Sequence, residues 1–219
     1  MTAPRPLLLV GSGGLAREVL ATVRAGDGPW TVAGFLDDNP ERHGLVIDAV
    51  PVLGPVDSIA DHPDADVVLC TASTRNQGSR KLIAARLGLP PERYATIVHP
   101  AASPAPGTVL GAGSVMMANV VVTAPQEIGS HVVVMPHVTI THDDEIADYV
   151  TFASRVALAG AVAVGTGAYL GSGALIREGL KIGAWSLIGM GAVVLEDVPP
   201  SQVWVGNPAR CIRAGAAPV

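Results

Sequence analysis

A repeat of six residues runs through the second half of the chain and constrains its fold more than any other feature. Neither the ~3.6-residue period of a helix nor the alternation of an ordinary strand explains this spacing. It is typical of a parallel β-helix, in which each six-residue unit forms one face and three faces complete a coil. We therefore predict an all-β parallel β-helix over residues 98–212, followed by a short tail over residues 213–219. The fifteen consecutive apolar positions are Leu110, Met116, Val122, Ile128, Val134, Ile140, Ile146, Phe152, Leu158, Val164, Leu170, Ile176, Ile182, Ile188 and Val194.

Glycine directly follows six of these apolar residues. Because glycine has no side chain, it takes backbone conformations that are closed to other residues. We expect these glycines to form the sharp corners between the faces of the β-helix. They are Gly111, Gly129, Gly165, Gly171, Gly183 and Gly189.

The first part of the chain alternates between strand and helix patterns. An apolar strand over residues 7–10 is followed by a glycine turn over residues 11–14 and then by apolar residues at helical spacing. Further strands are predicted over residues 30–38 and 65–73, and a later helix ends at Gly88. This alternation predicts a Rossmann-like α/β domain with a parallel sheet over residues 1–97.

The glycine turn and the end of the second predicted strand form a candidate ligand site. Backbone N–H groups of a turn that opens a helix can bind a phosphate, and an acidic residue at the end of that strand often meets a ribose. Asp37 and Asp38 occupy this strand end. The turn lacks the full G-x-G-x-x-G pattern, since its sixth position is Ala16, and this argues against a nicotinamide-dependent reductase.

Composition and charge exclude several classes of partner. Apolar residues make up 49% of the 219 residues and charged residues 15%, so the chain can bury a core. The net charge of −5 comes with no basic stripe that would bind nucleic acid. Cys70 and Cys211 match neither a disulfide framework nor a metal knuckle, and the N-terminus lacks a signal-peptide pattern. No apolar run approaches the ~18 residues of a membrane span, so we expect a soluble cytoplasmic protein without membrane contacts.

His142 interrupts an apolar stretch and is followed by two carboxylates, Asp143 and Asp144. Residues 18 apart stack in one column of a three-faced β-helix, so His142 has Gly160 on one side and Ala124 on the other, each about 4.8 Å away. A histidine between two such small residues has open space beside it. Its imidazole could therefore act as a general base.

The order of motifs along the chain resembles that of the bacterial sugar O/N-acetyltransferases. The matching stretches are "VGSGGLAREVL", "GFLDDNPERHG", "VPVLGPVD", "ATIVHPAA", "ITHDDEIAD", "IGMGAVVLEDVPP" and "VGNPAR", and they extend from residue 6 to about residue 213. Members of this family have a left-handed β-helix and acetylate sialic acids or amino sugars on nucleotide carriers. The resemblance implies transfer from acetyl-CoA to a sugar or nucleotide sugar, without a metal, in a homotrimer with three shared sites.

The resemblance also implies roles for individual residues. The Gly160 N–H would stabilise the oxyanion, and Asp143 would orient the imidazole of His142, with Asp144 as the alternative. The residues assigned to acceptor binding are Gly11, Ser12, Gly13, Asp37, Asp38, Asn76 and Arg80. The residues assigned to acyl-CoA binding are Thr151, Gly160, Ser172 and Gly191, together with the stretch 204–210.

The chain departs from the pattern of this family near both ligands. Leu15 and Thr151 stand where the family has histidines, and Asp144 stands where it usually has an uncharged residue. The turn after the third predicted strand is also longer and more polar. The identity of the acceptor, the choice between nitrogen and oxygen, and the acyl group therefore stay open at the level of sequence.

Two other functions would use the same residues. His137 and His142 have the H-x4-H spacing found in trimeric β-helix carbonic anhydrases, where a catalytic zinc would need a third ligand such as His131 or His99. The N-terminal domain would have no purpose in that enzyme. The second alternative is a scaffold subunit without activity. A covalent acyl carrier is not expected, because Cys70 ends a strand in the other domain.

Overall fold

The computed structural model describes residues 4–214, so residues 215–219 of the predicted tail lie outside the described part. The chain forms an N-terminal α/β domain and a C-terminal β-helix. Within the described residues, no helix combines the length and the hydropathy that crossing a bilayer requires.

The N-terminal domain is a five-stranded sheet with the strand order β3-β4-β2-β1-β5 and a helix on each face. Its strands are parallel except for β3, which is antiparallel to β4. Its strands and α-helices are β1 (Arg5–Val10), α1 (Gly14–Ala25), β2 (Trp30–Leu36), β3 (Val46–Ile47), β4 (Val50–Gly54), β5 (Asp66–Leu69) and α2 (Ser79–Leu87). Short 3-10 helices lie at Pro40–Arg42, Val56–Asp61 and Pro91–Arg93.

Strand β1 lies between β2 and β5 and is buried from both sides. Leu7 and Leu9 pack in the cluster of α1, whereas Leu8 and Val10 pack in the cluster beside α2. Successive side chains of a strand point to opposite faces, which accounts for this division. The third strand is shorter than predicted, since β5 ends at Leu69, and a loop over residues 70–78 leads into α2.

Three sheets form the faces of the β-helix, and their strands pair in parallel with the strand one coil further on, as Val121 pairs with Thr139. The final strand of the third sheet instead runs antiparallel to the strand before it. The first sheet contains β7 (Ser103–Pro104), β10 (Val121–Val122), β13 (Thr139–Ile140), β16 (Ala157–Leu158), β19 (Leu175–Ile176) and β22 (Val193–Val194). The second contains β8 (Val109–Leu110), β11 (Glu127–Ile128), β14 (Glu145–Ile146), β17 (Ala163–Val164) and β20 (Lys181–Ile182). The third contains β6 (Ile97–Val98), β9 (Val115–Met116), β12 (Val133–Val134), β15 (Thr151–Phe152), β18 (Tyr169–Leu170), β21 (Leu187–Ile188), β23 (Gln202–Val205) and β24 (Arg210–Ala214).

The chain runs from the third sheet to the first, then to the second, and back to the third. We call the turns from first to second sheet the first corner, those from second to third the second corner, and those from third to first the third corner. The apolar residue of each six-residue unit lies inside: of the fifteen positions only Leu110, at the start, is partly exposed. The predicted Rossmann-like domain followed by a left-handed parallel β-helix is confirmed.

The role predicted for the six repeat glycines is wrong. None of these six glycines has a positive φ. The corner residues that have a positive φ are found two positions further on, such as Gly113 at φ +73 and His131 at φ +56. At Gly111 an added Cβ would lie 2.6 Å from the carbonyl carbon of Gly129 in the next coil. The glycine is needed there because two backbones approach too closely for a side chain, not because the chain turns sharply.

The N-terminal domain covers the third sheet. Ile97, Val115 and Met117 share one apolar cluster with α1 and β1. The side chain of Gln77 fastens the domain at the second corner, where its Nε2 donates to Gly167 O at 3.3 Å and to Ser186 O at 3.0 Å. The first corner, which carries His142, lies away from this contact.

Candidate active site

The turn over residues 141–144 presents His142 at the first corner. Asp143 has φ +61, a left-handed conformation that turns the chain and brings neighbouring side chains to one side. His142 Nδ1 and Asp143 Oδ2 are 2.8 Å apart, and the two side chains are 67% and 80% exposed. With the Nδ1 proton donated to this carboxylate, Nε2 is left as a hydrogen-bond acceptor that faces outwards.

The imidazole of His142 lies directly against Gly160. An added Cβ on Gly160 would be 2.4 Å from His142 Cε1 and 2.5 Å from Nε2. Ala124 and Glu178 stand at the equivalent position two coils before and one coil after Gly160, and both carry a Cβ, so the turn itself does not require glycine. Among the described residues, no acceptor receives the Gly160 N–H. A ring nitrogen and a free backbone donor therefore lie beside each other at this corner.

Asp144 faces the interior and does not hold the imidazole. Its side chain is buried, with Oδ2 accepting from Thr141 N and Oδ1 from Val162 N, both at 2.8 Å. Burial raises the pKa of Asp144, although these two hydrogen bonds oppose the rise. Of the two carboxylates considered from sequence, only Asp143 hydrogen-bonds to His142.

The glycine turn of the N-terminal domain borders a pocket of about 320 Å³ at the carboxyl ends of β1 and β5. The predicted residues that line it are Gly11, Ser12, Gly13, Asp37 and Asn76. Such a crevice at the edge of a parallel sheet is where ligands of Rossmann-like domains bind.

Hydrogen bonds within the chain hold Asp37 at this pocket. Its Oδ2 accepts from Ser12 N at 2.9 Å and from Ser12 Oγ at 2.5 Å, and its Oδ1 accepts from Asn39 N at 2.9 Å. Burial acts to raise the pKa of Asp37, but these bonds and the charge of Arg42 outweigh it and lower that pKa. The carboxylate is therefore ionised and fixed at the mouth of the glycine turn.

Three of the predicted binding residues make contacts within the chain that do not support a ligand-binding role, beginning with Asp38. Asp38 does not line the pocket: it accepts from Val56 N at 3.0 Å and pairs with Arg86 at 2.7 Å. Arg80 is 2% exposed and lies between the domains, and Thr151 is 4% exposed beneath it. Neither of these side chains is accessible to a ligand.

The donors of Arg80 are directed at the β-helix and at its own domain. Nε donates to His131 O at 3.0 Å, and Nη2 donates to Tyr149 O at 2.6 Å and to Thr151 Oγ1 at 2.8 Å. Nη1 donates to Thr71 O at 2.8 Å. The guanidinium thus fixes α2 to the second corner, and burial lowers its pKa to about 10.

Ser172 and Gly191 lie together at the third corner, where Gly191 N donates to Ser172 O at 2.9 Å. Ser172 borders a cavity of about 540 Å³ with His137 and Arg155. The whole width of the first sheet separates this corner from His142 within one chain.

The four histidines considered for zinc are spread over three corners, with His99 at the third corner between β6 and β7. His142 is on the first, His131 on the second and His137 on the third, and His131 is buried against Tyr94 and Tyr149. The H-x4-H pair is therefore not brought together. Among the described residues, no group of three histidine, cysteine or carboxylate side chains could hold a metal ion.

One part of the site was missed from the sequence. A shallow cavity of about 740 Å³ covers the second sheet beside the first corner, and Glu127, Glu145 and Ala163 line it. Each of these residues precedes the apolar position of its unit, and they are 18 residues apart, one in each successive coil. The six-residue period could therefore have identified them as a column on the outer face.

Comparison with known proteins agrees with this architecture. Residues 6–87 match the PglD N-terminal domain family, while no curated protein sequence matches the chain. A perosamine N-acetyltransferase from Caulobacter crescentus, solved with CoA and GDP-perosamine, is 26% identical with a TM-score of 0.83, and the alignment covers 94% of this chain and 96% of that one.

Two further solved structures are similar over comparable lengths. The acetyltransferase domain of PglB from Neisseria gonorrhoeae, in complex with acetyl coenzyme A, is 25% identical with a TM-score of 0.83, covering 96% of this chain and 100% of that one. WeeI from Acinetobacter baumannii is 25% identical with a TM-score of 0.75, covering 94% and 99%. Residues 6–87 match one N-terminal domain family, and over nearly its whole length the chain is similar in fold to bacterial sugar acetyltransferases of the hexapeptide-repeat type.

Proposed function

We propose that this acetyltransferase moves the acetyl group of acetyl-CoA to the amino group of a nucleotide-linked sugar, with His142 as the general base. The observation that carries the proposal is the first corner: an exposed imidazole, bonded through Nδ1 to Asp143, lies against Gly160 with Nε2 free. Two similar solved structures support the choice of donor and acceptor: a perosamine N-acetyltransferase with CoA and GDP-perosamine, and the acetyltransferase domain of PglB with acetyl coenzyme A.

The chemistry follows from the positions of these three residues. His142 Nε2 takes a proton from the acceptor amine as its nitrogen attacks the thioester carbonyl. Asp143 holds the imidazole in the required tautomer and stabilises the imidazolium. The Gly160 N–H donates to the oxyanion that develops. The carbon–sulfur bond then breaks, and the CoA thiolate leaves and takes up the proton.

Transfer is direct, without an acyl-enzyme. Cys70 is buried, its thiol donates to Val68 O at 3.6 Å, and burial raises its pKa well above the ordinary range. A thiol in that state provides almost no thiolate. Acceptor and acetyl-CoA must therefore be bound together when the acetyl group moves.

The N-terminal domain, residues 1–97, would bind the nucleotide part of the acceptor. The N–H groups at the start of α1 face the pocket and carry the partial positive charge that favours phosphate. Ser12 and Asp37 fix the shape of the glycine turn, and Asn76 offers an amide at the opposite wall. Asp38 and Arg80 have no part in this proposal.

The β-helix, residues 98–212, would bind acetyl-CoA between two copies of the chain in a homotrimer. Ser172 and Gly191 lie on the third corner and His142 lies on the first, with the whole first sheet between them. An acetyl-CoA molecule that contacts both corners would therefore bind where the third corner of one subunit meets the first corner of a neighbouring subunit. The outer column of the sheet between these corners contains no charged residue and exposes Val121 and Leu175. Such a face suits contact with another subunit.

The test is acceptor-dependent release of free thiol from acetyl-CoA by the wild type and by His142→Ala, against a panel of nucleotide-linked amino and hydroxy sugars. We expect release with an amino sugar and a loss of at least ~10²-fold in His142→Ala, the usual size of a general-base contribution. Light scattering would give the subunit number in the same samples. Equal rates for the two proteins would refute the role of His142. A folded trimer that is inactive with every sugar would favour a scaffold.

A further inference from the structure

The turn that carries His142 departs from the regular hydrogen bonding of the β-helix. After each strand of the first sheet, the next N–H normally donates to a carbonyl one coil further on. Thr141 holds this position in its coil, but its N–H donates to Asp144 Oδ2 at 2.8 Å. The regular bonds in the other coils are Thr123 N to Ile140 O at 3.0 Å, Ala159 N to Ile176 O at 3.0 Å and Arg177 N to Val194 O at 3.1 Å.

Strand pairing shows the same interruption. β13 pairs with β16 only through Thr139 and Ala157, and the pairing stops before Ile140 and Leu158. The strands before and after it in this sheet pair through both of their residues. The coil of His142 and the coil of Gly160 are therefore held together differently at the point where the imidazole lies.

Asp144 supplies the bonds that replace the missing one. One oxygen closes its own turn on Thr141 N, and the other crosses to Val162 N of the next coil at 2.8 Å. Its own N–H donates to Gln126 Oε1 of the preceding coil at 3.1 Å. Thr141 directly precedes His142, and Val162 follows Gly160 by two residues. The carboxylate thus holds both sides of the proposed reacting pair.

Only a carboxylate can make this pair of bonds. Each oxygen of Asp144 accepts a backbone N–H, and an asparagine would turn an amide donor towards one of them. Burial raises the pKa of Asp144, whereas the two backbone N–H groups that it accepts favour its ionised form.

We propose that Asp144 is a positioning residue, which replaces one bond between coils and thereby sets the imidazole of His142 against Gly160. The inference rests on the proposed function, because it gives Asp144 the task of placing the general base. Asp144 is not a catalytic residue, since neither ring nitrogen of His142 bonds to it. Its effect must therefore pass through His142.

The kinetic test compares Asp144→Asn with Asp148→Asn. Asp148 is the matched control because its Oδ1 also accepts a backbone N–H one coil away, Ser130 N at 2.7 Å, on a turn without a proposed reacting group. If the loss of this carboxylate displaces the base by a fraction of an ångström, kcat of Asp144→Asn should fall at least ~10-fold. Its KM for acetyl-CoA should stay within about twofold of the wild-type value. Asp148→Asn should keep kcat within about twofold. Equal losses in both variants would overturn the proposal.

A double variant separates positioning from general loosening of the coil. In the His142→Ala background, Asp144→Asn should leave the residual rate unchanged, because no base is left to position. A further tenfold loss there would show that Asp144 acts by another route. If Asp144→Asn fails to fold, Asp144→Cys takes its place in every comparison.

A crystal structure of Asp144→Asn gives a result that does not depend on activity. We expect Thr141 N to bond to Leu158 O, as in the other coils, and the ring to move off Gly160. An unchanged turn would overturn the proposal whatever the rates. If the wild type releases no thiol with any acceptor, the proposed function fails, while this structure still decides whether Asp144 sets the turn.

Discussion

Adding a single methyl group at Gly160 should separate the base from its working position. The new Cβ would lie 2.4 Å from His142 Cε1, whereas ordinary contacts of this kind are 3.4–4 Å. The imidazole must therefore retreat by about 1 Å, and misplacement by about that distance costs ~10²-fold in rate. We expect Gly160→Ala to lower kcat about 100-fold, with KM for acetyl-CoA nearly unchanged.

The fold should tolerate this methyl group. His142 is 67% exposed, so its ring can swing into solvent without disturbing the core. Ala124, two coils before, and Glu178, one coil after, occupy the equivalent position, so the backbone accepts a side chain there. The melting temperature of Gly160→Ala should stay within a few degrees of the wild type, which differential scanning calorimetry can check beside the thiol-release assay.

The informative control is Gly160→Ala in the His142→Ala background. With the imidazole gone, the space beside residue 160 is empty, and the methyl group should leave the residual rate unchanged. A wild-type kcat in the single variant would refute the reasoning, because the ring would then work without lying against Gly160. A large further loss in the double variant would place the effect of the methyl group on the acyl donor instead.

Three further predictions concern stability and can be measured by urea unfolding. Burial and the charge of Arg80 lower the pKa of His131 to about 4 from 6.5. As the pH falls from 6.5 to 4, the free energy of unfolding should therefore decrease by about 3 kcal/mol more in the wild type than in His131→Phe. Parallel curves of unfolding free energy against pH for the two proteins would contradict this. Arg80→Lys should lower the free energy of unfolding by about 3 kcal/mol, because one ammonium group cannot reach the carbonyls on both domains. A decrease below about 1 kcal/mol would mean that water replaces these hydrogen bonds. Gly111→Ala should cost about 1–3 kcal/mol, since its Cβ would meet the rigid backbone of Gly129 at 2.6 Å; Gly14→Ala, with nothing within 4 Å, is the control and should cost far less.

The β-helix and the neighbours of His142 could be predicted because they depend on one period. Six residues per face and three faces per coil determine which residues stack, so the sequence alone places Gly160 beside His142. The same reasoning identifies the interior residue of every unit. Nothing about side-chain conformation is required for either result.

Contacts that connect distant parts of the chain could not be predicted in this way. Arg80 bonds to His131 O and Tyr149 O, 51 and 69 residues away, because α2 docks on the second corner. No period relates the N-terminal domain to the β-helix, so an arginine in a polar loop was interpreted as a ligand-binding residue. The roles of Asp143 and Asp144 also needed the structure, since a left-handed residue changes which side chains share a side.

Within residues 4–214, a ring lies against a glycine of a neighbouring coil at three points, and one of these three is the candidate active site. His131 lies on Gly113 and Trp185 lies on Gly167, both at the second corner where the N-terminal domain docks. There the domain buries His131, whose pKa falls to about 4 and whose Nδ1 has no hydrogen-bond partner among the described residues. His142 makes the same contact with Gly160 on a corner the domain leaves open, and Asp143 holds its Nδ1. The stacking of a ring on glycine is therefore a packing feature of this β-helix, and it becomes a candidate for chemistry only where solvent reaches the ring and a carboxylate fixes its tautomer.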